Sequence, residues 1–418
     1  MARLPALSAS RLAPVLGVLA MLGPFSIDTI FPAFPHIGAQ FGADKLAMQQ
    51  TISAYLLAYA LMSVAHGPLS DALGRRRVIL AGLAVFGLAS TGCAMATSLP
   101  MLLAFRVLQG LSAGVGLIVG RAVIRDALQG DDAQRLMSHV SMIFGIAPAI
   151  APLVGAWLLG WSRWPAIFWF MVLLSVAMIV AVVVLLPETH PQDARQPLRV
   201  APMLRDYWAM LGDERFMRLA FAGSLNFAAL FLYISSAPAL VLDHLHLGQN
   251  GFGWFFIPMI GGMMLGAFAS GRLAGRVDGI AQIRIGFVCC IVAALVNAIY
   301  HYVVAEPAVL PTVLPVALNS FGIALVFPIL TLAILDMFPA VRGAASSMQA
   351  FIGLLANAVM AGVISPWLSA NLFQLALAAG ILSVLAWLFW RWEYQRDKRP
   401  PRSPHDADEA IALEPTNP

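Results

Sequence analysis

Asp28 and Arg106 are the two charged side chains that fall well inside long apolar stretches of this 418-residue sequence; Asp336 and His301 come only near the ends of such stretches. Asp28 lies in GPFSIDTIFPAFP, Gly23 to Pro35, and Arg106 in AFRVLQGLSAGVG. A charge in a hydrocarbon layer costs roughly 2.5–3.5 kcal/mol on insertion scales, so such groups turn toward a protein interior or a watery cavity and mark ion pathways. An acid there can hold a proton while dry and give it up when water or a competing ligand arrives. The pair is therefore a candidate proton-coupling site. A permanent Asp28–Arg106 salt bridge, or a merely satisfied buried acid, is the plainer alternative.

Positioning two such groups takes elements that cross a membrane. Hydrophobic residues make up 60% of the chain and charged ones only 11%, against roughly 45–50% and about 25% in soluble domains. A crossing helix needs about 20 apolar residues. Twelve runs qualify, at 12–34, 47–69, 78–98, 100–120, 136–160, 164–186, 217–241, 252–271, 283–304, 309–335, 343–367 and 372–390. Lipid cannot satisfy backbone polar groups, and short alternating strands are missing, so the predicted class is an all-α membrane protein of 12 transmembrane helices. The first run is too long for a signal peptide and lacks a small-x-small cleavage site, so it counts as helix 1.

Charge sets the orientation. With the N-terminus cytoplasmic, 22 of the 25 basic residues fall on the cytoplasmic side, Lys45 and Arg163 on the other, and Arg106 within helix 4. The positive-inside rule then puts both termini in the cytoplasm, and it accounts for the basic balance of the chain without a nucleic-acid partner. Cys93, Cys289 and Cys290 all lie within runs, which suggests neither a disulfide nor a metal site.

The longest polar interval follows helix 6 and divides the helices six and six. The expected organisation is an N-terminal six-helix bundle at 1–186, a cytoplasmic linker at 187–216, a C-terminal six-helix bundle at 217–394 and a disordered tail at 395–418. The halves echo one another: Gly67 and Leu69 match Gly271 and Leu273, and AQRLMS around Arg135 matches AVRGAA around Arg342. A duplicated membrane unit is how alternating-access transporters are built.

GPLSDALGRRR, Gly67 to Arg77, joins helices 2 and 3. Gly67 is expected to allow close packing and Gly74 a backbone turn. Asp71 is expected to face a helix N-terminus of the other half, and Arg75 with its neighbours to pair with Asp126. In helix 5, Pro148 and Pro152 lie one turn apart and remove backbone donors, while Gly145 and Gly155 let a neighbour approach; together they suggest a bending element. These residues form the candidate gating set. Helical spacing aligns Met21, Phe25 and Asp28, then Tyr55, Tyr59 and Met62, then Arg106 with Gln109, then Asn226 with Tyr233. Aromatic and methionine side chains around a few polar groups suit amphipathic compounds better than sugars, and ordinary packing is the bland alternative.

The Gly67–Arg77 stretch resembles the signature loop of the major facilitator superfamily. AFRVLQGLSAGVG, RAVIRD (Arg121 to Asp126), PET after helix 6, GIAPAIAPLVGA in helix 5, FPAVRGAASS before helix 11 and Asp28-x-x-x-Pro32 resemble its bicyclomycin/chloramphenicol-resistance branch of drug:proton antiporters. The resemblance runs from Leu12 to Trp392 and implies the major facilitator fold in a bacterial inner membrane. It implies a monomer that exchanges small drugs for protons and needs no cofactor beyond the proton gradient. Relatives carry a second acid in helix 1 where this chain has Ala20, which concentrates coupling on Asp28. No Gly-x-x-x-x-Gly-Lys-Ser/Thr loop is present, so ion gradients are the expected driving force. Proton symport of a metabolite and a non-transporting sensor are the alternatives. A membrane enzyme is disfavoured, because no Ser/His/Asp or paired-acid set stands at a membrane boundary.

Overall fold

The computed structural model describes residues 9–128, 130–195, 200–273, 276–339 and 341–397. Among them, twelve helical spans are long and apolar enough to cross a membrane: Leu12–Phe41, Lys45–Leu73, Arg75–Ala94, Leu99–Ala127, Met142–Trp161, Pro165–Leu185, Glu214–Ser235, Gln249–Leu273, Gly279–Val303, Val309–Met337, Arg342–Leu368 and Leu372–Arg396. They are called spans 1 to 12 below. The chain is a multi-pass membrane protein, and its apolar coat fits that setting: Trp157, Leu173, Val184, Leu265 and Ile299 are all exposed. The tail expected to be disordered falls from 398 onward outside the described residues, while 395–397 continue the last helix, Leu372–Asp397.

Local signals set the span ends. Asp44 and Asp213 cap spans 2 and 7 by accepting from the backbone N–H of Ala47 (2.7 Å) and Phe216 (2.8 Å). Such a cap satisfies one of the four donors a helix start leaves free. Span 7 accordingly starts at Glu214, earlier than hydropathy suggests, and its helix stops at Ser235 rather than 241, giving way to a π-helical turn at Ala239–His244. Gly42 (φ 63°) ends span 1 in the left-handed region.

Span 1 is not one helix. A helix over Ala9–Asp28 stops, a 3-10 turn over Phe31–Ala33 carries Pro32, and a second helix over Phe34–Phe41 opens with Pro35 in its first turn. Proline suits both places, because its missing N–H would have no partner there. Pro32 and Pro35 thus mark a break in span 1, not its end.

Spans 1 and 5, 2 and 4, and 3 and 6 pack together, as do 7 and 12, 8 and 10, and 9 and 10; spans 2 and 11 and spans 5 and 8 cross between the two sets. Several of these contacts exist only because a side chain is absent. A Cβ at Gly110 would strike the carbonyl of Tyr55, one at Gly116 the carbonyl of Leu19, and one at Gly262 the carbonyl of Ala317. Without a hydrophobic force between helices in lipid, such close backbone approach is a main source of association. Gly67 and Gly145, expected to serve the same purpose, face open space. The close approaches were decided by which helices neighbour one another, and these two glycines lie off those contacts.

At the end of the molecule away from the termini, span 2 is bonded directly to spans 7 and 11. Gln49 donates to Ser235 O (2.7 Å), Gln50 to Gly362 O (2.9 Å) and Ser53 to Ala358 O (2.9 Å). Lys45 pairs with Asp243 at 2.6 Å, and the Phe31 and Phe256 rings stack 6.3 Å apart. Toward the termini a further link is made by Tyr207, on the connecting helix Val200–Gly212, which donates to Val64 O at 2.9 Å.

Candidate functional site

Asp28 is the last residue of the first helix in span 1 and is 3% exposed. The break behind it is held locally. The Thr29 N–H and hydroxyl both donate to Phe25 O, at 3.1 and 2.5 Å. The Thr29 carbonyl, left outside the helix ladder, occupies the space over Gly155 of span 5 that a Cβ would fill. Gly155 therefore seats the broken segment that carries Asp28. Among the described residues no hydrogen bond or ion pair engages the Asp28 carboxyl group, so it can change protonation without breaking a bridge.

Arg106, in span 4, is fully buried and spends its donors on neutral acceptors. Nε donates to Thr51 O (3.1 Å), and Nη1 donates to Ser26 O (3.3 Å), Ser26 Oγ (3.1 Å) and Gln109 Oε1 (2.8 Å). Its Cζ lies 4.4 Å from the centroid of the Tyr55 ring. Gln109 is aimed in turn by donating to Ser90 Oγ at 2.7 Å, and Ser90 donates to Phe86 O at 2.7 Å. A lone buried cation is costly; several acceptors and an aromatic face spread its charge. Nη2 is buried with no partner among the described residues, so one donor edge is unspent.

The alternative reading, a salt bridge to Asp28, is thus absent from the bonds made by Arg106 among the described residues. Ser26, two residues before Asp28, connects it to span 1 instead. The polar residues Ser26 and Ser90, each within an apolar run, are members of the Arg106 network that charge alone does not single out. Their signal was a small hydroxyl amid apolar neighbours, which many packing serines share. Because the fork geometry matters, Arg106→Lys is expected to lower transport by about tenfold or more, since an ammonium cannot reach the Thr51, Ser26 and Gln109 acceptors together. Efflux rates in reconstituted vesicles, with thermal unfolding as the folding control, check this.

Tyr55 and Tyr59 are buried and meet edge to face, with centroids 6.4 Å apart. Tyr55 donates to Gly23 O at 3.1 Å, and Tyr59 packs against Gly23 and Gly114. Phe25 lies 6.1 Å from Phe170. Met21 and Met62 are half-buried on the same spans. Of these groups, the two tyrosines stand at the Arg106 network, Tyr55 directly and Tyr59 through Tyr55. Span 7 turns to span 9 instead: the Tyr233 hydroxyl accepts from Asn297 of span 9 at 2.8 Å, and the buried Asn226 side chain meets the Cys290 thiol of the same span.

At the span 2–3 loop, Gly74 takes φ 100°, a conformation that disfavours any side chain. The turn aims Arg75 inward: its Nε meets Asp126 Oδ2 at 2.9 Å, and its Nη1 meets Asp71 Oδ1 at 2.5 Å and Ser70 Oγ at 2.6 Å. Its backbone N–H donates to Glu188 Oε1 at 2.9 Å. Asp71 is therefore paired within its own loop rather than with a helix start of the other half. Glu188, from PET, is a member that pattern alone did not assign, being more than a hundred residues away in the chain. Pro148 and Pro152 lie inside one continuous helix, Gly130–Trp161.

The Major Facilitator Superfamily description matches residues 16–361 of this chain. An uncharacterized MFS-type transporter of Bacillus subtilis, YdgK, is 30% identical over 289 residues, 68% of this chain and 71% of that one. Multidrug resistance protein D of Escherichia coli is 29% identical over 384 residues, 90% and 94% of the two chains. The bicyclomycin resistance protein homolog of Haemophilus influenzae is 27% identical over 270 residues, 65% and 68% of the two chains. Among solved structures, the human organic anion transporter MFSD10 superposes with TM-score 0.70 at 19% identity, covering 92% of this chain and 99% of that one. A D-xylose-proton symporter superposes with TM-score 0.72 at 14% identity, covering 91% and 97%. At these identities the two structures speak for the fold alone. With twelve apolar spans, buried charges inside them and this match over most of its length, the chain belongs to the Major Facilitator Superfamily, as a membrane transporter rather than an enzyme, and is similar to members named for bicyclomycin and multidrug resistance.

Proposed function

We propose that the protein is a proton-coupled antiporter that exports small amphipathic drugs across a bacterial inner membrane by alternating access. The observation that carries this reading is the buried, unbridged Asp28 beside an Arg106 network that does not neutralise it. Relatives named for bicyclomycin and multidrug resistance support the substrate class. In this proposal 1–186 and 217–394 form two six-helix bundles joined by 187–216, both termini are cytoplasmic, and the monomer is the working unit. Packing of spans 1 to 6 and of 7 to 12 mainly among themselves supports the division.

Asp28 then takes and releases the proton, and Arg106 holds spans 1, 2 and 4 in the geometry that senses it. Met21, Phe25, Tyr55, Tyr59, Met62 and Gln109 contact the drug, with Asn226 and Tyr233 contributing from span 7. The Gly74–Arg75–Asp71–Asp126 cluster and the Pro148, Pro152 and Gly155 region govern the rocking of the halves, together with span 2 contacts at the opposite end.

A growth-inhibition panel in a pump-deficient bacterial strain tests the reading, followed by uptake into inverted vesicles carrying an inside-acid gradient. Raised tolerance and inside-acid-driven drug accumulation are expected. Gradient-driven movement in the opposite direction would assign the chain to symport, and no flux in either direction would make it a sensor.

A further inference from the structure

A second charged site lies apart from the span interiors, at the end of the molecule that carries the termini. A cavity of about 410 Å³ there is lined by Arg76, Arg77, Leu80, Glu188, Pro191, Gln192 and Arg195. It brings together the start of span 3 and the segment that follows span 6. Three guanidinium groups face one carboxylate, and that carboxylate is already engaged. Glu188 Oε1 accepts from the backbone N–H of Arg75 (2.9 Å) and of His190 (3.0 Å), and Oε2 stands 3.8 Å from Arg195 Nη2. Arg76 spends one donor on Val183 O at 2.6 Å, a carbonyl at the open C-terminal end of the span 6 helix. The Nε donors of Arg76 and Arg195 have no partner among the described residues. Arg75 next to them is consumed by Asp71 and Asp126.

The cavity also adjoins lipid-facing apolar surface. Leu80 forms part of its wall. Val180, Val183 and Val184, on the last turns of span 6, are 56%, 49% and 72% exposed, and Arg76 is bonded to that same stretch. A cluster with surplus positive charge at the edge of an apolar face matches a molecule with a phosphate at one end and hydrocarbon at the other. Soluble phosphate accounts for the arginines but not for the valine face.

We propose that this cavity binds the headgroup of an anionic phospholipid, with Arg76, Arg77 and Arg195 donating to its phosphate and an acyl chain lying along Val180, Val183 and Val184. Guanidinium forks meet two phosphate oxygens at once, which a zwitterionic lipid weakens by placing its own cation beside the arginines.

The test uses the full-length protein purified in detergent and does not depend on transport. Phosphatidylglycerol, phosphatidylcholine with the same acyl chains, and inorganic phosphate are titrated separately, and bound species are counted by native mass spectrometry. Phosphatidylglycerol is expected to be retained about tenfold better than phosphatidylcholine, with millimolar phosphate failing to displace it. The triple variant R76Q/R77Q/R195Q is expected to lose that preference, while R76K/R77K/R195K keeps part of it. Should the triple glutamine variant not elute as a single species, Arg77→Gln, at an exposed position, carries the comparison and is expected to reduce retention several-fold. Equal retention of the two lipids, displacement by inorganic phosphate, or undiminished phosphatidylglycerol binding by the glutamine variants overturns the proposal.

Discussion

Asp28→Asn is expected to abolish drug accumulation driven by a pH gradient while leaving protein level and thermal unfolding close to wild type. The side chain is 3% exposed and makes no ion pair among the described residues, so a neutral amide of nearly the same shape removes the proton site without orphaning a partner. The neighbouring structure does not depend on the charge either: Thr29 and Gly155 hold the break in span 1 through backbone carbonyls. Asp28 is the single acidic residue in Leu12–Phe41, so no other carboxyl group in span 1 can take over. One charge moving through 100 mV supplies about 2.3 kcal/mol, which sustains a gradient of somewhat under 50-fold at about 1.36 kcal/mol per decade. That is the accumulation Asp28→Asn should lose, falling to the level of unenergised vesicles, while downhill exchange of the drug persists. Inverted vesicles loaded with a fluorescent substrate and acidified inside give the measurement. Wild-type accumulation by the variant would remove Asp28 from the coupling step.

Gly116→Leu should have the largest effect on the fold itself. Gly116 lies in a π-helical turn, Val115–Val119, where span 4 crosses span 1. A Cβ there would overlap the Leu19 carbonyl, and backbone cannot swing aside as a flexible side chain does. Forcing a branched side chain against backbone puts the cost at the upper end of overpacking, about 3 kcal/mol, and spreads the helices that carry Arg106 and Ser26. Loss of the monodisperse peak in detergent, or a large drop in unfolding temperature, is the expected outcome. Gly67→Ala is the control. It meets nothing within 4 Å, so the better helix former should be neutral or slightly stabilising. Equal behaviour of the two variants would mean that spans 1 and 4 do not touch at Gly116.

These two glycines show where reading the chain in one dimension stops. Gly67 belongs to a recognisable motif and Gly116 to a run of small residues, yet the second makes the contact and the first does not. Nothing local distinguishes them, because the difference lies in which helix passes in front of each. Asp71 is a similar case. Its motif suggested a partner across the halves, and the turn at Gly74 instead delivers Arg75 to it. Glu188 closes the same cluster from a distant part of the chain.

What the sequence determined by itself is what a hydrocarbon layer imposes on any chain: twelve helical spans, and two charges too costly to sit inside them without a purpose. Those conclusions need only composition, run length and residue type, since lipid penalises each buried charge and each unpaired backbone group wherever it falls. Tertiary structure alone decided what the charges do with their neighbours. Arg106 turned to Ser26, Thr51 and Gln109 rather than to Asp28, and Asp28 came to rest at a helix break seated over Gly155. Hydrogen bonds reach about 3 Å, so partners depend on the relative height and rotation of packed helices, and those are fixed by contacts between residues far apart in the chain.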